Sequence, residues 1–297
     1  MIHREHIALS TGDFEILSAG PENSPLVLCL HGFPDFPPSF EPLLRSLAAS
    51  GYRAVAPWLR GYALSTLRGP FDTDTLAADI VALAAALSPD RPYFLVGHDW
   101  GAVITYLVAA KYPDRLAGAV TMAVPHPAAF FGNVPKNPDQ IRRSWYMGLF
   151  QLPISIVERI VRRDDFALIE RLWSAWSPGF RAPEAHLRAL KDCLDRSLPA
   201  PVLYYQTYFR PIGGAIHRLR WLSSEAARIR VPLLSILGAE DGCVGAGLGD
   251  GDERFYAGPY RREILPSAGH FMQMERPEEI ARRVIGWFDP IRREQSI

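Results

Sequence analysis

Three side chains that together could hydrolyse a substrate lie far apart in the sequence. Asp99 lies at the centre of the stretch GHDWG, Asp241 lies in AEDG and His270 ends SAGH. A carboxylate can displace a leaving group at a saturated carbon and form an ester, and a histidine oriented by a second carboxylate can activate water. The order nucleophile, acid and histidine therefore predicts hydrolysis in two steps through a covalent intermediate.

The stretch around Asp99 has the pattern of a sharp turn between a strand and a helix. YFLVGH reads as a short buried strand, and WGAVITYLVAAKYP reads as a helix that ends at Pro113. Small flanking residues permit the turn, and the helix directs backbone N–H groups and its positive end toward an anion. An isolated aspartate at a helix start is usually an N-cap, so the nucleophile prediction depends on Asp241 and His270.

A second turn is expected to complete the site. The strand LVLCL runs into HGFP, and the backbone N–H groups of Phe33 and Trp100 are predicted to converge on one oxygen as an oxyanion hole. His31, Pro34 and Trp100 are candidates for contact with the substrate. Three histidines that lie beside turns are at the same time expected to serve the fold: His31, His98 and His126.

The elements that must position these residues alternate along the chain. Apolar strands such as YRAVAP and LAGAVTMAV are separated by helical segments such as DTDTLAADIVALAAAL, and the alternation returns with VPLLSILG and PEEIARRVIGWF. This rhythm predicts an α/β fold with a mostly parallel central sheet and helices on both faces. The predicted division is a core in residues 1–125 and 225–297, with an inserted helical cap in residues 126–224.

Composition excludes several classes of function. Lys and Arg number 32, as do Asp and Glu, so no excess of basic charge favours nucleic acid as a partner. No apolar stretch approaches the ~20 residues that span a bilayer, and MIHREHIALS lacks the apolar core of a secretory signal. Three widely spaced cysteines indicate reduced thiols rather than disulfides or a metal site. These observations predict a cytoplasmic protein. The glycine-rich GCVGAGLGDGDE lacks dinucleotide-loop spacing and is expected to be a flexible loop.

The motifs HGFP, GHDWG and AGHFMQMERPEEI resemble the epoxide hydrolase branch of the α/β-hydrolase superfamily over almost the whole chain. The resemblance implies an α/β-hydrolase fold with a cap. It also implies that an epoxide is converted to a vicinal diol, with Asp99 as nucleophile and the pair His270 and Asp241 activating water. This chemistry requires no metal and no organic cofactor.

The same resemblance implies two cap tyrosines that assist ring opening. YMGLFQLP matches the family pattern Y-x-x-x-F-Q-x-P and designates Tyr146. LYYQ stands where the family has N-W-Y-R and designates Tyr205, although Gln206 replaces the arginine and Leu203 the asparagine. Alternatives remain open at two positions: Tyr204 or Tyr208 for the second donor, and Glu240 for the acid.

Other readings of the same residues remain. A haloalkane dehalogenase shares the Asp-His-Asp machinery, but it would want a polar halide donor at position 33 rather than Phe33. A fluoroacetate-type dehalogenase would want arginines after the nucleophile, where this chain has Ala102 and Val103. A non-catalytic binding protein is the alternative of another class. An apolar substituent on the epoxide is expected from the aromatic residues of the cap: Phe130, Phe131, Trp145, Trp173 and Trp176.

Overall fold

A central sheet of eight strands organises the protein, whose structure is described for residues 1–295 by a computed structural model. The strand order is β1-β2-β4-β3-β5-β6-β7-β8; β1 pairs with β2 and β2 with β4 in antiparallel fashion, and all other pairs are parallel. The strands are β1 (Ile2–Leu9), β2 (Gly12–Ala19), β3 (Leu26–Leu30), β4 (Arg53–Pro57), β5 (Tyr93–His98), β6 (Leu116–Met122), β7 (Leu233–Gly238) and β8 (Tyr260–Leu265).

The mostly parallel sheet that the sequence predicts is confirmed, with one strand added. β3 to β7 are buried along their whole length, as expected of strands covered on both faces. Cys29 lies in β3 as core, as predicted. The sequence did not predict β1, whose residues alternate between half-buried and exposed at the edge of the sheet.

Helices follow the strands and also fill the long connection between β6 and β7. α1 packs against α12, and α2 packs against α3. The helices are α1 (Glu41–Ala49), α2 (Thr73–Leu87), α3 (Trp100–Lys111), α4 (Pro127–Asn133), α5 (Pro138–Arg143), α6 (Trp145–Leu149), α7 (Ile154–Trp176), α8 (Glu184–Ser197), α9 (Ala200–Phe209), α10 (Ile212–Leu222), α11 (Met272–Glu275) and α12 (Pro277–Glu294). Within residues 1–295, no helix combines the length and the apolar character that crossing a membrane requires.

The position of α3 depends on one close approach. A Cβ atom added at Gly101 would lie 2.0 Å from the carbonyl oxygen of Leu30, at the end of β3. Only glycine therefore lets the first turn of α3 lie against β3. Nine of the 12 residues of α3 are buried, which fixes the helix between the sheet and its neighbours.

The carboxyl ends of β3, β5, β7 and β8 share one edge of the sheet, and the helices between β6 and β7 lie against it. Trp173 in α7 donates its indole N–H to the carbonyl of Pro34 at 2.8 Å. Tyr204 in α9 donates its hydroxyl to the carbonyl of Arg60. The ends of parallel strands are where α/β proteins bind ligands, so these helices enclose the expected site.

The glycine-rich segment departs from its prediction as a flexible loop. It contains two short 3₁₀ turns, at Ala246–Gly249 and Asp252–Phe255. Leu248 and Asp252 are both fully buried. Buried anchors in each turn hold the segment against the core, a constraint that its glycine content does not reveal.

Candidate active site

Asp99 lies at the turn between β5 and α3 with a left-handed backbone, φ 52° and ψ −116°. Such a φ is uncommon outside glycine, and it turns the side chain out of the sheet edge. The carboxylate accepts a hydrogen bond from the backbone N–H of Phe33 at 2.7 Å. A Cβ atom at Gly32 would lie 2.2 Å from Asp99 Oδ1 and 2.5 Å from Trp100 N, so glycine is required beside this oxygen.

The predicted acid and histidine meet Asp99 in space. His270 Nδ1 lies 2.9 Å from Asp241 Oδ2, and His270 Nε2 lies 3.6 Å from Asp99 Oδ2. The other oxygen of Asp241 accepts the backbone N–H groups of Cys243 and Val244 at 2.7 and 2.8 Å. Glu240, the alternative acid, is exposed. The geometry thus favours Asp241 as the group that orients His270.

Charge governs the protonation of His270. Burial lowers the pKa of this imidazole, but the carboxylates of Asp241 and Asp99 outweigh burial and raise the pKa to about 10. In the free protein the imidazolium is therefore held between two carboxylates. Loss of the charge on Asp99 removes part of this stabilisation and lowers the pKa.

Two tyrosines share the cavity of Asp99. Tyr146 and Tyr205 both line it and are buried. The hydroxyl of Tyr146 lies 3.3 Å from Cys243 Sγ, whereas that of Tyr205 has no hydrogen-bond partner within the described residues. Burial raises the pKa of both phenols well above the usual value, so both remain proton donors at neutral pH. Tyr204 lies outside the cavity lining and bonds to Arg60, which favours Tyr205 as the second donor.

The cavity beside Asp99 is largely apolar. In the part of the chain that the structure describes, Asp99 is the charged residue of its lining. The other lining residues are Trp100, Val103, Val124, Pro127, Phe130, Phe131, Tyr146, Met147, Tyr205, Tyr208, Phe209 and Val244. Such a lining suits an uncharged molecule with an apolar body.

Two residues named as substrate contacts lie elsewhere. His31 donates from Nδ1 to the carbonyl of Gly32 at 3.0 Å and accepts the backbone N–H of Leu59 on Nε2 at 3.2 Å. Pro34 offers its carbonyl to Trp173. Neither lines the cavity, whereas Trp100 does. His31 and Pro34 thus lie outside the cavity lining, and their role as substrate contacts stays a prediction.

Of the aromatic residues between β6 and β7 from which an apolar substituent is expected, Phe130 and Phe131 line the cavity, whereas the three tryptophans do not. Trp145 is 53% exposed. Trp173 stacks on Phe271 at 3.6 Å between ring centroids. The carbonyl of Trp176 accepts the backbone N–H groups of His270 and Gly242, both at 3.0 Å. Trp173 and Trp176 thus contact the segments that follow β3, β7 and β8.

The sequence does not predict the buried polar network that lies behind His270. His98 donates from Nε2 to the carbonyl of His270 at 2.9 Å. The side-chain amide of Gln273 donates to Asp35 Oδ2 at 3.0 Å and lies 3.4 Å from His98 Nδ1. Burial raises the pKa of Asp35 to about 7. The signal in the sequence is a carboxylate, Asp35, directly after HGFP and an amide, Gln273, three positions after His270.

One donor set could in principle hold a metal. Ligand atoms of Asp241, Cys243 and His270 lie within 4.8 Å of one another. Both oxygens of Asp241 already accept hydrogen bonds, and the histidine nitrogen of the set binds one of them. Burial raises the pKa of the Cys243 thiol well above its usual value and opposes the thiolate that metals prefer. The donors fit a hydrogen-bonded pair better than a metal site.

The chain is similar in sequence and in fold to known proteins. The family model described as the alpha/beta hydrolase fold matches residues 25–277. Epoxide hydrolase 3 of Xenopus tropicalis is 30% identical over 279 residues, which cover 90% of this chain and 72% of that protein. Epoxide hydrolase 4 of Mus musculus is 29% identical, covering 89% and 73%. A crystal structure of Bacillus megaterium epoxide hydrolase in complex with an inhibitor has a TM-score of 0.84 at 25% identity, covering 96% of this chain and all of that one.

Proposed function

Because this chain belongs to the epoxide hydrolase branch of the α/β-hydrolase superfamily, we propose that it converts an epoxide to a vicinal diol through an ester on Asp99. One observation carries the proposal: Asp99, Tyr146 and Tyr205 line one apolar cavity. A nucleophile and two proton donors on one cavity suit the opening of a strained ring whose oxygen becomes an alkoxide.

In the first step, an oxygen of Asp99 attacks an epoxide carbon. The carbon–oxygen bond of the ring breaks, and a phenol proton from Tyr205 or Tyr146 passes to the developing alkoxide. The free hydroxyl of Tyr205 supports this role, because no partner within the described residues competes for its proton. The apolar lining strengthens these hydrogen bonds by excluding water.

In the second step, water attacks the carboxyl carbon of the ester and gives a proton to His270 Nε2. Asp241 steadies the imidazolium, while the N–H groups of Phe33 and Trp100 stabilise the tetrahedral oxyanion. The short bond from Phe33 N to Asp99 Oδ1 supports this part of the proposal. Collapse passes the remaining proton of the water to the departing oxygen, releases the diol and restores the carboxylate, and His270 is again the imidazolium of the free protein.

Ester formation itself prepares the base. In the free protein, the carboxylates of Asp241 and Asp99 hold the pKa of His270 at about 10, which keeps it protonated. The ester carries no charge, so the pKa of His270 falls when Asp99 reacts. The imidazolium then passes its proton to the tyrosinate left by ring opening, which restores the phenol and makes His270 a base when water must be activated. This coupling keeps the two steps in order.

We further propose that the substrate carries an apolar substituent and that residues 126–224 act as a cap over the core, formed by residues 1–125 and 225–297. The apolar cavity lining supports the first point. Tyr146 and Tyr205 come from the segment between β6 and β7, whereas Asp99, Asp241 and His270 follow core strands. A cap that carries the proton donors would couple substrate enclosure to ring opening.

A haloalkane dehalogenase is the less favoured function. The ring of Phe33 packs edge to face against Phe150 and Tyr205, at 5.3 and 5.6 Å between centroids. Position 33 therefore offers a halide no side-chain hydrogen bond.

We also propose a cytoplasmic location, because Cys29, Cys193 and Cys243 are free and buried, as suits a reducing compartment.

One turnover in water enriched in heavy oxygen tests the covalent scheme. With the enzyme in excess over styrene oxide, the label is expected in the side chain of Asp99 and not in the diol, because water attacks the ester at the enzyme's carbon. Mass spectrometry of the peptide that contains Asp99 and of the diol locates the label. Label in the diol after this single turnover would mean that water attacks the epoxide directly.

Replacement of either tyrosine by phenylalanine separates ring opening from ester hydrolysis. Tyr205→Phe is expected to slow alkylation on the order of 100-fold, because general-acid assistance is lost while the ring stays in place. Tyr146→Phe should act in the same direction. Stopped-flow fluorescence of Trp100, which lines the cavity, can follow alkylation in a single turnover.

Tyr204→Phe is the matched control for these variants. It removes the hydrogen bond to Arg60 without touching the cavity lining, so alkylation should be unchanged. Stability should fall by about 1 kcal/mol. An equal loss of alkylation rate in Tyr204→Phe would contradict the assignment of Tyr205.

A further inference from the structure

Two cavities lie side by side along α3. The first is lined by Asp99, and the second, smaller one is lined by Leu107 and Leu222. They share three wall residues, Val103, Pro127 and Tyr208. These shared residues therefore separate the cavity beside Asp99 from a second space that continues along α3.

The continuation follows one face of α3. Val103 and Leu107 are separated by four positions, so they lie on the same face of the helix. With a rise of 1.5 Å per residue, the second cavity extends about 6 Å farther from Asp99 than the first. A linear substituent of a substrate held at Asp99 would point along this face.

Tyr208 is the wall residue that can be removed by substitution without altering a core helix. Val103 belongs to α3 and Pro127 to the start of α4, whereas the ring of Tyr208 projects from α9. On the side of the nucleophile, this ring lies edge to face against Trp100 at 5.4 Å. On the far side, the guanidinium of Arg218 covers it at 4.7 Å and donates to the backbone carbonyl of Tyr208 at 2.7 Å.

We propose that Tyr208 is a specificity-determining residue that sets the upper length of the linear alkyl substituent in the epoxide. The proposal rests on the epoxide hydrolase function above and names its substrate class: epoxides with unbranched apolar chains up to the wall formed by Tyr208. Beyond the wall, the second cavity is lined by Leu107 and Leu222 together with Thr73 and Arg218. The two leucines offer a longer chain an apolar surface that it reaches only when the ring is removed. In this proposal the ring of Tyr208 limits the chain length, whereas Tyr146 and Tyr205 are the proposed proton donors.

Kinetics with a homologous series test this role. The values of kcat/KM are measured for terminal epoxyalkanes from epoxybutane to epoxydodecane. Each methylene that is buried should raise kcat/KM about fourfold until the chain meets Tyr208, after which the gain should stop. In Tyr208→Ala the gain should continue to longer chains, so that the ratio of epoxydodecane to epoxybutane rises by about tenfold or more over the unmodified protein.

Two variants guard this comparison. Tyr208→Phe keeps the wall and loses only the hydroxyl, so its ratio should match that of the unmodified protein. Tyr208→Leu truncates the ring less severely and serves if the alanine variant folds poorly. Because the readout is a ratio of two substrates in one variant, partial damage to the chemistry cancels. An unchanged ratio in both Tyr208→Ala and Tyr208→Leu would overturn the proposal.

Binding of unreactive ligands separates this proposal from the catalytic one. Linear alkyl amides of increasing length are titrated into each variant by calorimetry, since they need no turnover. Long amides should gain affinity over short ones in Tyr208→Ala but not in Tyr208→Phe. No diol from any epoxide would refute the catalytic function alone, whereas equal length dependence of amide binding in all variants would refute the role of Tyr208.

Discussion

Asp99→Ala is expected to lower epoxide turnover on the order of 10⁴-fold or more while the protein stays folded. The substitution removes the atom that bonds to the substrate, and loss of a nucleophile that acts with its histidine as a unit costs almost the whole of their joint contribution. The variant should stay folded, because the core around β5 and α3 keeps its apolar contacts. Diol formation by chromatography and circular dichroism of the variant check both parts.

Asp99→Asn provides the electrostatic control for this variant. The amide keeps the volume of the side chain but removes its charge, so the pKa of His270 should fall from about 10, where the carboxylates of Asp241 and Asp99 hold it. Titration of the imidazole by NMR measures the shift. An unaltered pKa would show that Asp241 alone holds the proton, and the coupling of ester formation to base activation would be wrong.

The core of the fold could be predicted because its strands have clear patterns in the sequence. β3, β5 and β7 are continuous apolar runs, as parallel strands covered on both faces must be, and glycine or proline marks their ends. β1 was missed for the opposite reason. Its residues His3, Arg4 and Glu5 belong to an edge strand that faces solvent, and its pairing with β2 gives it order that its own composition does not indicate.

The proposed nucleophile, acid and histidine could be named because each follows a strand at the same edge of the sheet. The contacts that support these three residues could not be predicted, because they join segments that share no local sequence pattern. Gln273 and Asp35 are separated by 238 positions, and the bond between them follows from the docking of α11 beside the oxyanion turn. Likewise, nothing in the sequence indicates that the carbonyl of Trp176 holds the loops of Asp241 and His270.

The choice between adjacent tyrosines shows the same limit. Neighbouring residues of a helix point about 100° apart, so only one of Tyr204 and Tyr205 can face a given cavity. Sequence periodicity groups Tyr205 with Tyr208, three positions later, but does not say which face meets the nucleophile. The docking of α9 decides it: Tyr205 and Tyr208 line the cavity, and Tyr204 bonds to Arg60.

His270→Gln is expected to form the ester on Asp99 and then stall. Alkylation needs the carboxylate and the tyrosine donors, none of which this substitution removes, whereas hydrolysis loses its base and should slow on the order of 10³-fold. Intact-protein mass spectrometry should therefore find the protein heavier by the mass of one epoxide, an adduct that persists after the excess substrate is removed. Asp241→Asn should accumulate the same adduct to a lesser degree, because His270 keeps its ring but loses the carboxylate at 2.9 Å that orients it.

The control for His270→Gln is His217→Gln, an exposed histidine of α10 whose loss should change neither turnover nor adduct. A double variant, Asp99→Asn with His270→Gln, decides where the adduct forms. If Asp99 is the attachment point, the double variant gains no mass, since an amide does not displace the ring oxygen at a useful rate. A His270→Gln protein that turned over at the full rate would remove the need for a base at this position. The ester would then have to be cleaved by another group, and the network behind the histidine holds two buried titratable side chains, Asp35 and His98.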